Sequence, residues 1–358
     1  MRKAGGVSGN GGLGRAGELI TAAVADGPLP GAVAAVGRGQ TTLAAWVAGQ
    51  ADTTPGASRP MTRDTVFDLA SLTKIVATTT TVLALAGPGQ LGLDDPVTRY
   101  LPAFTAGSQG PVTIRHLLTH TSGLPAMRTF YRWCATRGEV LDDLMATPLE
   151  VPPGTRVAYS DLGFMLLGEI VAAVTGEELD VAVGELVTGP LGLRSAGFNP
   201  AGPPGRFAAT ELRADGTPWL GVVHDENARA MGGVAGHAGL FAGLADLVAF
   251  AAWWVSDADG PVPVPLRRQA ETCATDGLGG RRGLGWTCPG DRHDILGQGW
   301  PDTAVSHTGF TGTSLALDSG SGLWVVLLTN GVHAGRDASA VKALRRSLHT
   351  AVATALLA

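Results

Sequence analysis

Ser71 and Lys74 are the first residues in this sequence whose types and spacing suggest catalysis. They stand three positions apart, directly before the apolar run 75–86. If this run is a helix that begins near Ser71, the two side chains lie on one face. The lysine amine could then take the proton of a nucleophilic serine. Such a lysine must be partly desolvated, because its ordinary pKa keeps it protonated at neutral pH.

The same spacing occurs a second time and shows how little it proves alone. Ser339 and Lys342 repeat it at the start of an amphipathic segment. There Ser339 is most simply a residue near a helix start, and Lys342 is a solvated charge. The catalytic interpretation of Ser71 therefore depends on further residues.

Two more motifs follow in chain order. Tyr159-Ser160-Asp161 stands on a loop just before an apolar helical stripe, and His307-Thr308-Gly309 ends a β-like run. Tyr159 could simply bury its ring and hydrogen-bond outward, or it could transfer protons. Asp161 could cap the helix that follows, and this role is compatible with one in the site.

Other polar groups give weaker signals. The segment His224-Asp225-Glu226-Asn227, together with His237, could suggest a metal site, but these residues lack a recognised ligand spacing. We therefore expect a loop scaffold beside the active site, with no metal and no cofactor. His120 is expected to stabilise its own tight turn. The sequence has no G-x-S-x-G elbow and no G-x-x-x-x-G-K-[ST] phosphate loop.

The elements that must position these residues follow from periodicity and turn signals. The N-terminal third predicts a helix over 15–25 and then a hairpin with arms 30–36 and 41–47. Helical periodicity dominates the middle, where the clearest runs are 162–174, closed by Gly176, and 240–254. A C-terminal helix follows three β-like runs whose short turns favour antiparallel pairing: 303–307, 313–318 and 323–329.

These elements predict an α/β fold of the α+β type. An antiparallel β-sheet is flanked by the N- and C-terminal helices, and a mainly helical lobe is inserted. We expect residues 1–90 and 285–358 to form the α/β lobe, and residues 91–284 to form the helical lobe that carries Tyr159. Together they would be a single catalytic unit, preceded by a flexible tail over residues 1–13.

Composition narrows the partners. With 45% hydrophobic and 16% charged residues, the chain is typical of a globular protein, and its net charge of −5 argues against nucleic acid. Three cysteines outside any C-x-x-C pair favour a reducing compartment. No apolar signal segment precedes Arg15, and no apolar run reaches membrane-spanning length. We therefore expect a cytoplasmic protein with no membrane partner.

In order and spacing, the three motifs resemble those of the serine β-lactamase and penicillin-binding-protein superfamily. The likeness is to its class C β-lactamase-like branch of esterases, D-amino peptidases and transacylases. It extends from about residue 15 to the end, and the segments 67–71, 117–124 and 232–241 support it. It implies a β-lactamase/transpeptidase-like fold.

The resemblance also implies a role for each motif residue. Ser71 would be the acylated nucleophile, and Lys74 and Tyr159 would share its proton and pass one to the leaving group. The backbone N–H groups of Ser71 and Phe310 would form the oxyanion hole. Substrate would be bound by residues of the two later motifs: Asp161, His307, Thr308 and Gly309.

Two positions depart from the β-lactamases that this chain resembles. Those enzymes commonly have asparagine where this chain has Asp161, and lysine where it has His307. A mostly neutral imidazole recognises a substrate carboxylate less well than a fixed positive charge does. Weak or no β-lactamase activity, and a neutral ester or amide substrate, are therefore expected.

The sequence thus predicts a serine acyl hydrolase that forms an acyl-enzyme on Ser71 and cleaves an ester or amide, peptides included. One alternative is a transacylase that passes the acyl group to an amine or alcohol in natural-product tailoring. Another is a non-catalytic binding module on the same fold. The expected partner is a small-molecule ester, amide or peptide, joined by an acyl-acceptor amine in the transacylase case.

Overall fold

The computed structural model describes residues 12–105 and 110–358, so the tail expected over residues 1–13 lies almost entirely outside the described residues. The strands are β1 (Gly31–Arg38), β2 (Thr41–Asp52), β3 (Arg59–Pro60), β4 (Val66–Asp68), β5 (Gly197–Phe198), β6 (Leu240–Gly243), β7 (Val305–Thr308), β8 (Ser314–Asp318) and β9 (Leu323–Thr329). The α-helices are α1 (Gly14–Ala25), α2 (Thr80–Ala86), α3 (Ile114–Leu118), α4 (Arg137–Met145), α5 (Asp161–Thr175), α6 (Leu179–Val183), α7 (Glu226–Ala230), α8 (Leu244–Val255), α9 (Val264–Glu271) and α10 (Ser339–Leu356).

Strands from both ends of the chain form one antiparallel sheet, in the order β3-β2-β1-β9-β8-β7. The early hairpin is β1 with β2, where Val33 pairs with Val47. On its other edge β1 pairs with β9, where Val33 lies opposite Leu328. The predicted hairpin and the predicted antiparallel order of the last three strands are confirmed.

Both faces of this sheet are buried. In β9, Leu323, Val325 and Leu327 point to the core shared with α1 and α10. Their neighbours Trp324, Val326 and Leu328 point to the larger core that includes the helical middle of the chain. Side chains alternate across a strand, so a continuous apolar run is what a strand covered on both sides requires. The predicted flanking helices and the α+β class are confirmed.

The run 240–254 is not one helix, as the sequence predicted. Its first four residues are β6, which pairs antiparallel with β4 and with β5. The helix α8 begins only at Leu244, where the Asp246 carboxylate accepts a hydrogen bond from the Gly243 N–H. Periodicity alone cannot separate a buried strand from a buried helix, and here pairing with a distant strand decides.

The segment around Ser71 is also not a simple α-helix. Residues 70–72 form a 3₁₀ turn, residues 74–79 form a π-helical turn, and α2 begins only at Thr80. The Thr80 hydroxyl donates to the Ile75 carbonyl at 2.8 Å, which stabilises the wide turn. Ala70 has a φ of 47°, in the left-handed region that few residues other than glycine adopt. Such features recur at functional sites.

Among the helices that the structure describes, none is both long enough and apolar enough to cross a membrane.

Candidate active site

Ser71 and Lys74 meet at hydrogen-bond distance. Lys74 Nζ lies 2.9 Å from Ser71 Oγ and donates a second hydrogen bond to the His237 carbonyl at 3.0 Å. The Lys74 side chain is fully buried, so it has the desolvation that the catalytic interpretation requires. The equivalent spacing at Ser339 and Lys342 lies at the start of α10, where both side chains are exposed.

A carboxylate faces the Lys74 ammonium. Asp161 Oδ1 lies 2.8 Å from Lys74 Nζ, and the Asp161 side chain is only one-fifth exposed. Burial by itself lowers the pKa of Lys74, but the opposite charge of Asp161, followed by Tyr159, raises it above its ordinary value. Lys74 is therefore an ammonium ion in the resting site.

The cap of α5 is Ser160 and not Asp161, so that prediction was wrong. Ser160 has extended backbone angles, and its hydroxyl accepts a hydrogen bond from the Gly163 N–H at 3.3 Å. The same hydroxyl donates to the Pro125 carbonyl at 2.7 Å. Asp161 is the first residue inside the helix, which leaves its carboxylate available to Lys74.

Tyr159 lies between two cations. Its ring centroid is 5.1 Å from Lys74 Nζ and 5.4 Å from Cζ of Arg282. Three imidazoles surround the same ring at centroid distances of 4.6 Å (His120), 5.5 Å (His293) and 6.0 Å (His307). Cationic and imidazole side chains therefore surround the Tyr159 ring.

His120 does more than stabilise its own turn. It adopts a φ of 58° in that turn, and its Nδ1 accepts a hydrogen bond from the Ser160 N–H at 3.0 Å. Burial holds the pKa of His120 well below its ordinary value, with the positive charges of Arg282 and Lys74 acting in the same direction. A neutral His120 therefore fixes the loop that carries Tyr159.

The end of β7 is held against the segment that carries the nucleophile. The Thr313 hydroxyl donates to the Leu69 carbonyl at 2.9 Å, and the Thr311 hydroxyl donates to the Asp68 carbonyl at 2.7 Å. A Cβ on Gly309 would lie 2.3 Å from the Leu69 carbonyl oxygen. Only glycine permits this approach to the segment that carries Ser71.

His307 belongs to this end of β7, and it is almost fully buried. Burial, followed by the charges of Lys74 and Arg282, holds the pKa of His307 well below its ordinary value. Its imidazole is therefore neutral. The geometry places no fixed positive charge at this position.

A cavity of about 230 Å³ opens at these residues. Ser71, Tyr159 and the four residues 307–310 line it together. All the predicted site residues except Lys74 and Asp161 therefore line this cavity. Lys74 contacts Ser71 through its amine, and Asp161 contacts that amine in turn.

Four basic residues of this wall were not predicted from the sequence: Arg282, His293, Lys342 and Arg345. Arg282 is buried, donates to Thr287 at 2.7 Å and pairs with Asp291 at 2.9 Å. Arg345 donates to the carbonyls of Gly309 and Thr313 at 2.9 and 2.7 Å, and burial lowers its pKa to about 10. No motif marks these residues. The one sequence feature that could have indicated them is the i, i+3 spacing of Lys342 and Arg345, which places both side chains on one face of a helix.

Asp225 and His237 form the scaffold expected beside the site. His237 Nε2 lies 2.9 Å from Asp225 Oδ1, and the same carboxylate accepts the Ala228 N–H at the start of α7. This pair fixes the residue whose carbonyl accepts a hydrogen bond from Lys74. Within the residues that the structure describes, no group of three or more His, Cys, Asp or Glu residues could hold a metal ion.

The site can be compared with known proteins. A sequence profile of the family described as Beta-lactamase matches residues 17–350. The chain belongs to the Beta-lactamase family. The resemblance to the serine β-lactamase and penicillin-binding-protein superfamily is therefore confirmed, as is the fold that it implied.

Relatives of this Beta-lactamase family chain carry several names. An Escherichia coli (strain K12) protein named "Putative D-alanyl-D-alanine carboxypeptidase" is 35% identical over 76% of this chain and 70% of its own length. A Bacillus subtilis (strain 168) protein named N-acetylmuramyl-L-alanine amidase is 32% identical over 75% of this chain and 68% of its own length. The solved structure of EstCE1, a hydrolase with promiscuous acyltransferase activity, superposes with a TM-score of 0.75 at 25% identity. That match covers 94% of this chain and 98% of EstCE1.

Proposed function

We propose that this chain is a serine acyl hydrolase that forms an acyl-enzyme on Ser71 and cleaves an ester or amide. One observation carries the proposal: the Ser71 hydroxyl lies 2.9 Å from a buried lysine amine and, with Tyr159, opens into one cavity. A nucleophile, a proton-transfer pair and room for a substrate are the parts that acyl transfer needs.

The mechanism begins with the Lys74–Tyr159 pair. With both groups protonated, neither can accept the serine proton, so the active form has lost one proton from the pair. That form takes the Ser71 proton while Oγ attacks the substrate carbonyl carbon. The electron pair of the carbonyl bond moves to the oxygen, towards the backbone N–H groups of Ser71 and Phe310.

The tetrahedral intermediate then collapses. The bond to the alcohol or amine breaks, and the pair returns its proton to that leaving group. In the second half, water attacks the acyl-Ser71 ester, and the pair carries a proton from the water to Ser71 Oγ. The names of the relatives support this class of reaction, because they include a carboxypeptidase, an amidase and a hydrolase.

A covalent probe tests the proposal. We expect a fluorophosphonate or an activated ester to add its acyl or phosphonyl group to the peptide that contains Ser71, as read by mass spectrometry. Ser71→Ala should lose both the adduct and turnover while its thermal unfolding is unchanged. Ser339→Ala, which alters the second Ser-x-x-Lys spacing, is the matched control and should keep both. A folded wild-type protein without an adduct would instead be a binding module.

Transfer to an acceptor other than water is the second candidate. It is favoured by the match over nearly the full length to EstCE1, whose title states acyltransferase activity beside hydrolysis. Adding primary amines or alcohols to the acyl-enzyme separates the two outcomes. A transacylase yields an acylated acceptor at the expense of free acid.

Charges of both signs lie at or next to the cavity. Position 307 is neutral and Asp161 is acidic, which favours a neutral substrate, but Lys342 and Arg345 line the same cavity. Weak β-lactamase activity therefore stays a prediction that rests on His307 and Asp161 alone.

A further inference from the structure

Phe310 exposes an aromatic ring in the wall of the active-site cavity. Phe310 is 52% exposed. The cavity that it lines also contains the nucleophile Ser71 and the apolar residues Ala338 and Val341. Apolar surface that faces water is unfavourable, and the unfavourable term disappears when an apolar group covers it. The group that enters this cavity beside Ser71 is the substrate.

The exposed ring is held in place. It stacks on the His224 imidazole with ring centroids 5.6 Å apart and planes 21° from parallel. The backbone N–H of His224 donates to the buried Asp68 carboxylate at 2.7 Å, and the ring nitrogen Nε2 lies 3.1 Å from Glu211 Oε2. A ring fixed in this way can select a ligand at little entropic cost, because it does not have to be ordered on binding.

A second support comes from Arg336, whose Cζ lies 6.0 Å from the Phe310 ring centroid. Its guanidinium donates to both oxygens of Glu211, at 2.8 and 2.7 Å, and to Glu226 at 2.5 Å. The fork geometry of a bidentate pair fixes the plane of the guanidinium. His224 and Arg336 are thereby tied to one another through Glu211.

Two aromatic side chains that line the cavity, Phe310 and Tyr159, have different surroundings. In the part of the chain that the structure describes, the rings and cations around Phe310 are His224 and Arg336. Those around Tyr159 are Lys74, His120, Arg282, His293 and His307. No residue belongs to both sets. In the proposed mechanism the Lys74–Tyr159 pair gives a proton to the leaving group, which therefore lies beside Tyr159. The acyl group lies on the other side of the scissile bond, where we place it against Phe310.

We propose that the Phe310 side chain selects substrates with an extended apolar acyl group, which packs on its exposed ring. This inference rests on the proposed function, because it needs a substrate attached at Ser71. The inference gives the Phe310 side chain a role in substrate selection. This role is separate from the oxyanion hole, to which residue 310 contributes only its backbone N–H.

A series of p-nitrophenyl esters from acetate to octanoate tests the inference. In the wild-type protein we expect kcat/KM to rise by about two- to fourfold for each methylene that reaches the ring. Phe310→Ala should make this dependence nearly flat, and Phe310→Leu should give an intermediate slope. Val181→Ala, which shortens an exposed apolar side chain on α6 away from the cavity, should keep the wild-type slope.

A second series distinguishes the two sides of the scissile bond. Acetate esters of alcohols of increasing length vary only the leaving group, and their slope should be the same in wild type and Phe310→Ala. The rate of acyl-enzyme breakdown, followed by stopped flow, should depend on acyl length in the wild type and much less in Phe310→Ala.

Each outcome has a meaning. A flat acyl series in a wild-type protein that forms the Ser71 adduct overturns the inference and leaves the proposed function standing. A steep series that survives in Phe310→Ala overturns it as well, as does a slope difference confined to the alcohol series. A folded wild-type protein with no Ser71 adduct overturns the proposed function and, with it, the inference. Thermal unfolding establishes that each variant is folded, and Phe310→Leu gives the slope comparison if Phe310→Ala does not fold.

Discussion

The ammonium of Lys74 lies 2.8 Å from the carboxylate of Asp161, and the lysine end of this pair is fully buried. The same ammonium lies 2.9 Å from Ser71 Oγ. A lysine in this position needs to part with or share a proton in acyl transfer, yet the adjacent carboxylate favours its charged form. Asp161 therefore sets the pH at which the proposed site becomes active.

Replacing Asp161 by asparagine should move the acid limb of the kcat/KM profile to lower pH. The carboxylate raises the pKa of Lys74, so its removal leaves burial, which lowers that pKa, as the larger influence. The Lys74–Tyr159 pair then loses one proton at a lower pH. The profile is measured with an activated ester between pH 5 and 10. Asp161→Glu, which keeps the charge, should stay close to wild type, and an unmoved limb in Asp161→Asn would refute this role.

Gly309→Ala should damage both stability and catalysis. A methyl group there would meet the Thr313 hydroxyl and the Leu69 carbonyl at 2.1 and 2.3 Å, and both atoms are hydrogen-bonded to each other. We expect a loss of about 1–3 kcal/mol in the free energy of unfolding. We also expect a fall of about 100-fold in kcat/KM as the strand moves from Ser71.

The matched control for that substitution is Gly184→Ala, at a helical glycine where the added methyl group would face open space. It should leave activity unchanged and raise stability by up to about 1 kcal/mol. Urea unfolding and ester hydrolysis measure both quantities. Equal behaviour of the two variants would show that close approach at Gly309 is unimportant.

His349 should make the fold sensitive to mild acid. Burial lowers the pKa of His349 to about 3, so the folded protein does not protonate it when the unfolded chain does, below an ordinary pKa of 6.5. Stability is therefore lost as pH falls from 6.5. Between pH 7.5 and 5.5, this one residue should lower the free energy of unfolding by roughly 1 kcal/mol.

His349→Leu isolates that contribution. The variant retains the other buried histidines, among them His120 and His307, so their contributions cancel in the comparison. Urea unfolding of both proteins at the two pH values gives the difference. If the variant loses as much stability as the wild type on acidification, the assignment to His349 is wrong.

The wild-type protein should hydrolyse nitrocefin slowly, at roughly one-hundredth or less of its kcat/KM for a phenyl ester. A neutral, buried His307 offers no charge to the carboxylate of a β-lactam. His307→Lys should raise the nitrocefin value by about tenfold or more, and His307→Gln should not. Rapid nitrocefin turnover by the wild type would contradict the prediction.

Much of the fold was predictable because its signals are local. The β1–β2 hairpin follows from two apolar runs around a short glycine turn, and α5 ends at Gly176, whose φ of 76° suits glycine. The run 240–254 was misassigned because its first four residues owe their strand conformation to β4, more than 170 residues earlier. The cap of α5 was misplaced by one residue, since Ser160 and Asp161 are both good capping residues.

For the site, the sequence by itself determined which groups carry the proposed chemistry. Residues three apart in a helical turn share a face, so Ser71 and Lys74 meet with little help from the rest of the chain. Only the tertiary structure decided what surrounds them. Asp161 reaches the lysine amine, Arg282 reaches the Tyr159 ring, and His224 stacks on Phe310 through contacts between segments far apart in sequence. Packing and burial set such contacts, and with them the charge on Lys74 and the exposure of Phe310, because neither quantity depends on local spacing.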